Sequence, residues 1–188
     1  MNRREAIAAI GWMMGGAMIS ADLLISCTSN TSAKVNELFN QDQVALLDEV
    51  GETILPTTDT PGAKAAKIGN FMAVMVQDCY NEEDQKVFMK GISQLDEASK
   101  DKFGKTFMKA TPQERTQLLT FLDTEQKKYM LNKEPEKPNH YFRMMKELTM
   151  LGYFTSEVGA TQALRYLPVP GKYDGCMPYK KGDRAWAI

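Results

Sequence analysis

Residues 68–79, Ile-Gly-Asn-Phe-Met-Ala-Val-Met-Val-Gln-Asp-Cys, decide the class of fold. The bulky apolar side chains of this stretch recur at intervals of three and four residues, which places them on one face of an α-helix. They are Ile68, Phe71, Met72, Met75, Val76 and Cys79. A half-buried strand would need apolar residues at alternate positions, and runs of that kind are nearly absent from the chain. The pattern predicts a mainly α-helical protein.

The same spacing on both sides of this stretch predicts a compact bundle of about five to six helices. Asn40 is expected to cap a helix that runs to about Ile54. Thr60-Pro61 is expected to begin the next helix, because a capping hydroxyl followed by proline is typical of a helix start. Thr111-Pro112-Gln113-Glu114 has the pattern of a capping box. Further helices are predicted over residues 82–98, 141–150 and 156–165. The recurrent proline and glycine from Pro168 onward predict an irregular tail.

Each main helix carries an apolar stripe that we expect to face the core. The stripes comprise Val44, Leu47, Gly51 and Ile54; Phe88, Ile92 and Leu95; Leu118, Leu119, Leu122 and Tyr129; and Phe142, Met145, Leu148 and Thr149. The helices together predict a single domain over residues 40–188, preceded by a polar tether over residues 28–39.

The first 27 residues have the pattern of a bacterial export signal. Arg3-Arg4 is followed by a mostly apolar stretch, residues 6–25, as in signals read by the twin-arginine translocase. Leu24-Ile25-Ser26-Cys27 resembles a lipobox, in which the cysteine is acylated and becomes the new N-terminus. The signal predicts a periplasmic protein held to the membrane by lipid. The Sec route and an uncleaved membrane anchor are the alternatives.

Charge and cysteine content limit the function further. Removing residues 1–27 from the 188-residue chain leaves 161 residues with the same net charge of −1 as the whole chain. Nucleic-acid binding needs a basic face, so this balance argues against it. Cys79 and Cys176 remain after processing. They can form one disulfide outside the cytoplasm, one of them can face a partner chain, or both can be buried free thiols.

The residues that carry most enzyme chemistry are missing from the sequence. His140 is the only histidine, which leaves too few ligands for a zinc site, and we expect it to face solvent at a helix start. No Cys-x-x-Cys-His or Gly-x-Gly-x-x-Gly motif occurs, and two thiols are too few for an iron–sulfur cluster. We therefore predict no catalytic residue, no metal and no cofactor in this chain.

Three segments combine proline or glycine with apolar or aromatic side chains: residues 54–63, 152–157 and 168–176. They are rigid connections between helices or a preformed docking surface, on which fixed loops lose little entropy when a partner binds. The predicted partner-binding residues are Leu55, Pro56, Asp59, Pro61, Gly62, Gly152, Tyr153, Phe154, Thr155, Ser156, Pro168, Pro170, Gly171 and Tyr173.

These segments resemble the gluconate 2-dehydrogenase subunit 3 family. The shared motifs are Ile-Leu-Pro-x-Thr-Asp-Thr-Pro-Gly-Ala at 54–63, Gly-Tyr-Phe-Thr-Ser at 152–156, and Pro-Val-Pro-Gly-x-Tyr-x-Gly-Cys at 168–176. The resemblance implies a small subunit without a redox centre. Its large partner is a flavoprotein (FAD) dehydrogenase of the glucose-methanol-choline type, often completed by a cytochrome c subunit.

The resemblance also implies a role in export. Subunits of this family help the large subunit mature and carry it through the twin-arginine pore, because the large subunit lacks its own signal. A lipobox at Cys27 is not general to the family and suggests a variant held at the membrane. Two other classes of function are open on the sequence: a stand-alone periplasmic lipoprotein that binds a ligand or scaffolds an envelope complex, and an enzyme in its own right.

Overall fold

Five α-helices form the body of the protein in the computed structural model, which describes residues 33–169 and 171–187. They are α1 (Gln41–Ile54), α2 (Ile68–Cys79), α3 (Glu82–Phe103), α4 (Pro112–Asn132) and α5 (Tyr141–Thr155). Two 3₁₀ turns, Ala63–Ala66 and Phe107–Lys109, and one π-helical turn, Gly159–Ala163, lie between or after them. The predicted helical bundle is confirmed. In the described part of the chain, no helix is both long enough and apolar enough to cross a lipid bilayer.

The polar caps that the sequence predicts are present at the starts of α1 and α4. The Asn40 side chain accepts a hydrogen bond from the Gln43 amide at 2.9 Å, and the Gln43 side chain accepts one from the Asn40 amide at 3.0 Å. Thr111 and Glu114 exchange the same pair of bonds at 3.4 and 2.7 Å. Each capping box satisfies amides that the helix itself leaves free.

The prediction that a helix begins at Thr60-Pro61 is wrong. The Thr60 carbonyl oxygen accepts a bond from the Thr58 amide, so it is used within the loop and not by a helical turn. The chain then makes the 3₁₀ turn Ala63–Ala66, and Lys67 adopts the left-handed conformation with φ of 54°. Because that conformation interrupts a right-handed helix, α2 begins only at Ile68.

Two helices run longer than predicted and one is shorter. α3 continues past residue 98 to Phe103 and ends at Gly104, whose φ of 70° suits a glycine C-cap. α5 continues past residue 150 to Thr155, because the glycine at 152 lies against a neighbouring helix and does not break it. The helix predicted over 156–165 is reduced to the π-helical turn.

The core lies where α1, α2 and α5 pack together, with α3 and α4 closing it. The predicted stripes are buried, except that Ile54, Phe71 and Met75 are half-buried and Cys79 and Tyr129 are exposed. Four phenylalanines, Phe39, Phe88, Phe107 and Phe142, are the largest fully buried side chains.

Phe39 falls in the segment that the sequence assigns to the tether. The Asn36 side-chain amide donates to the Ala73 carbonyl oxygen at 3.0 Å, so residues 36–39 belong to the folded body.

Carboxylates on α1 and α4 tie the helices together. Glu49 on α1 accepts hydrogen bonds from Lys64 and, at 2.5 Å, from Arg115 on α4. Burial opposes ionisation of Glu49, but these two cations outweigh it and lower the pKa of its carboxyl. Asp123 on α4 lies 2.7 Å from Lys127 and 2.6 Å from Lys146 of α5. The network joins α1 to α4 and α4 to α5.

We predict that Asp123→Asn destabilises the protein at neutral pH and that this effect disappears in acid. Hydrogen bonds from Lys127 and Lys146 lower the pKa of Asp123 from 3.8 to about 2. A lowered folded-state pKa gives stability that is present above about pH 4 and is lost as the pH falls towards 2. The expected loss at pH 7 is up to about 1 kcal/mol, measured by urea unfolding at several pH values.

Glu147→Gln is the matched control. It removes an exposed pair with Arg143 within one helix, for which we expect a smaller effect. A difference between Asp123→Asn and the native protein that stays constant from pH 7 to pH 2.5 would contradict the prediction.

Candidate partner-binding surface

The loop between α1 and the first 3₁₀ turn is held rigidly by one carboxylate, that of Glu52. Its Oε1 accepts hydrogen bonds from the Thr57 amide at 2.9 Å and from the Thr57 hydroxyl at 2.8 Å. Its Oε2 accepts one from the Lys64 amide at 2.9 Å. The Ala63 amide also donates to the Leu55 carbonyl oxygen at 2.9 Å. The loop, residues 55–62, is therefore closed on itself and fixed to the end of α1.

A tyrosine of α5 holds the same loop from the other side. The Tyr153 hydroxyl donates to the Pro61 carbonyl oxygen at 2.6 Å. The ring is only 4% exposed, so this bond links the protein interior to the half-buried Pro61. The structure thus joins two of the three predicted segments through a direct contact.

Most of the second segment is helical, and only its last residues connect one element to the next. Gly152 to Thr155 complete the last turn of α5, and Ser156 and Glu157 lie beyond it. Gly152 is buried, and a Cβ built on it would lie 2.5 Å from the Phe71 ring of α2. Gly152 and Tyr153 are therefore packed inside the folded body. Phe154 is half-buried against the core.

In the first segment, the surface that remains open is small. Pro56 and Asp59 are exposed, whereas Leu55 and Pro61 are half-buried. Gly62 is buried, and a Cβ on it would lie 2.4 Å from the Glu52 carboxylate. The exposed edge of this loop is thus presented on a backbone that cannot easily move.

The third segment lies in an exposed tail that folds back on itself. We call residues 165–187 the tail loop. The Arg165 amide donates to the Ala185 carbonyl oxygen at 2.8 Å, and the Ala187 amide donates to the Arg165 carbonyl oxygen at 2.9 Å. The Arg165 guanidinium also lies 4.4 Å from the centre of the Trp186 ring. These contacts close the tail loop at its two ends.

The tail loop gathers much of the exposed apolar surface of the protein. Among the described residues, seven of the fifteen exposed large apolar side chains lie in it. They are Tyr166, Leu167, Val169, Tyr173, Met177, Tyr179 and Trp186. Five of these line an open concavity of about 760 Å³: Leu167, Val169, Tyr173, Met177 and Trp186. An apolar surface of this kind is typical of an interaction site.

Sequence reasoning found only part of this surface. The predicted residues Pro168, Gly171 and Tyr173 are exposed in the tail loop, and Tyr173 is 96% exposed. Met177, Tyr179 and Trp186 follow the last recognised motif and were missed. The signal was available, because three of the seven tyrosines of the chain lie between residues 166 and 179.

The structure excludes one of the three alternatives for the cysteines, and it places the histidine differently from the prediction. Cys79 and Cys176 are both free and both exposed, so the alternative of two buried thiols is wrong and no disulfide joins them in this structure.

His140 is half-buried, not solvent-facing. Its Nδ1 accepts a hydrogen bond from the Phe142 amide at 3.2 Å, and its ring stacks on Tyr141 with centroids 4.6 Å apart. Burial lowers the pKa of His140.

Several predicted residues cannot be placed. Arg3, Arg4, Cys27 and Pro170 lie outside the described residues. Within residues 33–169 and 171–187, no three His, Cys, Asp or Glu side chains come together as metal ligands do.

The fold and its surface define a class: a small all-α protein in which nearly half of the exposed large apolar side chains of the described residues lie in one closed loop. A comparison with protein families goes further. Residues 41–171 match the family model of Gluconate 2-dehydrogenase subunit 3. The chain belongs to this family, and the resemblance drawn from its motifs is confirmed. No curated protein matches the chain, and no solved structure does.

We predict that Tyr153→Phe destabilises the protein by roughly 0.5–1.5 kcal/mol, because it removes the hydrogen bond between the buried tyrosine and the Pro61 carbonyl oxygen. Protection of the Ala63 amide from hydrogen exchange should fall as well, since the loop loses its hold on α5. Urea unfolding and hydrogen exchange measure the two effects.

Tyr129→Phe is the control for this change. The Tyr129 hydroxyl also donates to a proline carbonyl oxygen, that of Pro138, at 3.0 Å, but its ring is 39% exposed. Water can replace that donor, so we expect little change. Equal losses in the two variants would show that the buried position of Tyr153 has no special importance.

Proposed function

We propose that this chain is the non-catalytic small subunit of a periplasmic, membrane-associated flavoprotein dehydrogenase such as gluconate 2-dehydrogenase. The observation that carries the proposal is the family match over residues 41–171, which covers most of the folded body. The family name places the chain in a dehydrogenase complex. The absence of catalytic motifs from the sequence agrees with an accessory role.

In this proposal the chemistry belongs to the partner. The large subunit binds FAD and oxidises a sugar or an alcohol, and a cytochrome c subunit can complete the complex. The single histidine of this chain is engaged as a helix cap and packed against a tyrosine ring. Those contacts give it a structural role and support assignment of catalysis to another chain.

In this proposal the small subunit contributes a fixed binding surface, an export signal and a lipid anchor. The loop over residues 55–62 is held by Glu52 and Tyr153, so it loses little entropy when a partner binds. Such a surface suits a protein that steadies a folded flavoprotein during maturation. Arg3-Arg4 then directs the assembled pair to the twin-arginine translocase, and Cys27 anchors it to the membrane by lipid.

The export role is tested with the double variant Arg3→Lys, Arg4→Lys, expressed together with the flavoprotein of the same host. We expect the flavoprotein to be retained in the cytoplasm, because it has no signal of its own. Its flavin fluorescence and activity are measured in cytoplasmic and periplasmic fractions. A Sec-exported reporter in the same cells controls for general damage to secretion.

If the flavoprotein still reaches the periplasm with this variant, the co-export proposal is wrong. If the unaltered small subunit does not bind the flavoprotein at all, the chain is better explained as a stand-alone lipoprotein. The second result would overturn the proposed function as a whole.

The lipid anchor is tested separately with Cys27→Ser. We expect the variant to be exported but to move from the membrane fraction to the soluble periplasmic fraction, because it has no thiol to acylate. Cys79→Ser is the matched control and should stay with the membrane. Membrane retention of Cys27→Ser would contradict lipidation at this residue.

A further inference from the structure

We propose that the tail loop, residues 165–187, docks the large dehydrogenase subunit, and that it recognises an acidic protein surface bearing an apolar protrusion. The inference rests on the proposed function and adds to it the recognising surface and the chemistry of the surface that it meets.

The first argument is the unusual exposure of aromatic rings. Tyr173 is 96% exposed and Tyr179 is 75% exposed, although neither ring is needed to fill the core. Leu167, Met177 and Trp186 surround an open concavity of about 760 Å³. Tyrosine and tryptophan are the residues that most often anchor protein interfaces. A concave apolar surface fits a protruding side chain or loop of a partner.

The second argument is that the tail loop has a defined shape. Backbone bonds between Arg165 and residues 185–187 close it, and the Arg184 guanidinium donates to the Gln162 carbonyl oxygen at 2.6 Å. Inside it, the Asp174 carboxylate accepts a bond from the Cys176 amide at 3.2 Å, and that of Asp183 accepts one from the Lys180 amide at 2.9 Å. A loop held in this way pays less ordering entropy on binding.

The third argument is charge. The tail loop carries five basic and two acidic side chains, although the whole chain has a net charge of −1. Lys172, Lys180 and Lys181 are exposed, and none of them forms an ion pair with a carboxylate of the described residues. Lys172 lines the concavity together with Asp174, and Lys180 and Lys181 lie elsewhere in the same loop. The excess of cations over carboxylates in the loop favours a partner with an acidic surface beside its apolar protrusion.

The shape of the tail loop favours a protein over a lipid surface. Segments that lie in a membrane interface are usually amphipathic helices with one continuous apolar face. The described residues of the tail loop form no helix. Five of its seven exposed apolar side chains line a concavity, which a flat bilayer surface cannot fill. Residues 177–187 of the loop lie beyond both the shared motif at 168–176 and residue 171, where the family match ends. We therefore assign to residues 177–187 the choice of partner, and not the fold common to the family.

The test measures binding of the full chain, purified in detergent, to the flavoprotein dehydrogenase of the same host. One variant, Tyr173→Ser with Tyr179→Ser, removes the exposed rings. A second, Lys172→Glu with Lys180→Glu and Lys181→Glu, reverses the charge. We expect the aromatic variant to raise Kd roughly 30-fold or more. The charge variant should slow association and reverse its dependence on salt, because salt then screens a repulsion.

The matched control substitutions lie outside the tail loop. Phe121→Ser with Leu131→Ser removes two exposed apolar side chains of α4, which are 56% and 85% exposed. Lys90→Glu with Lys109→Glu and Lys128→Glu reverses three exposed lysines elsewhere. Both controls should bind as the unaltered chain does. Circular dichroism checks folding, and the charge variant still tests the proposal if the aromatic variant does not fold.

Three results would overturn the inference. Tail variants that bind the flavoprotein as tightly as their controls leave the proposed function intact and exclude the tail loop as its docking surface. If the tail variants still bind the flavoprotein but no longer bind phosphatidylglycerol vesicles, the loop is a membrane-binding surface and not a protein-binding one. An unaltered chain that fails to bind the flavoprotein rejects the proposed function, and the inference with it.

Discussion

The close approach of α2 and α5 at Gly152 is the constraint on which the other contacts depend. The ring of Phe71 occupies the space where any other residue at 152 would place its Cβ. The two helices can therefore pack tightly, and α5 continues for another turn past its last predicted residue. That extra turn carries Tyr153 into the interior, where its hydroxyl reaches Pro61. Overpacking at such a contact costs about 1–3 kcal/mol, so the glycine is needed for packing and not for flexibility.

Two carboxylates on α1 fix the loop that lies at the surface, residues 55–62. Glu52 satisfies three donors of the loop and the 3₁₀ turn that follows it. One helical turn earlier on α1, the Glu49 carboxylate accepts hydrogen bonds from Lys64 and Arg115. It thereby links the 3₁₀ turn that contains Lys64 to α4. Arg115 also donates to the carbonyl oxygens of Phe107 and Met108. A proline-rich connection thus becomes a rigid part of the body, which explains how an irregular segment can offer a defined surface.

Local chemistry made the helices predictable. The caps at Asn40 and Thr111 involve residues only three positions apart, so the sequence reveals both partners. Thr60-Pro61 has the same local signal, yet its carbonyl oxygen is used by Thr58 within the loop. The sequence cannot show that competition.

The candidate surface was predicted less completely, because its contacts are distant in sequence. The bond between Tyr153 and Pro61 spans 92 positions, and no motif reveals it. The exposed rings at Tyr179 and Trp186 lie beyond the recognised motif, which ends at Cys176, and no local pattern marks them as exposed. Exposure depends on where the whole chain places a ring, and an aromatic residue in a tail could equally have been buried.

The tail loop leaves the folded body and returns to it at one place, beside Arg165 and Ala187. A segment whose two ends meet can change its length and composition without moving the helices beneath it, since the entropy of closing a loop grows only slowly with length. The tail loop can therefore be exchanged as a unit without a change in the helices. Exchange of this one segment between family members would alter their surface while the bundle, with its caps and carboxylate links, stays as it is.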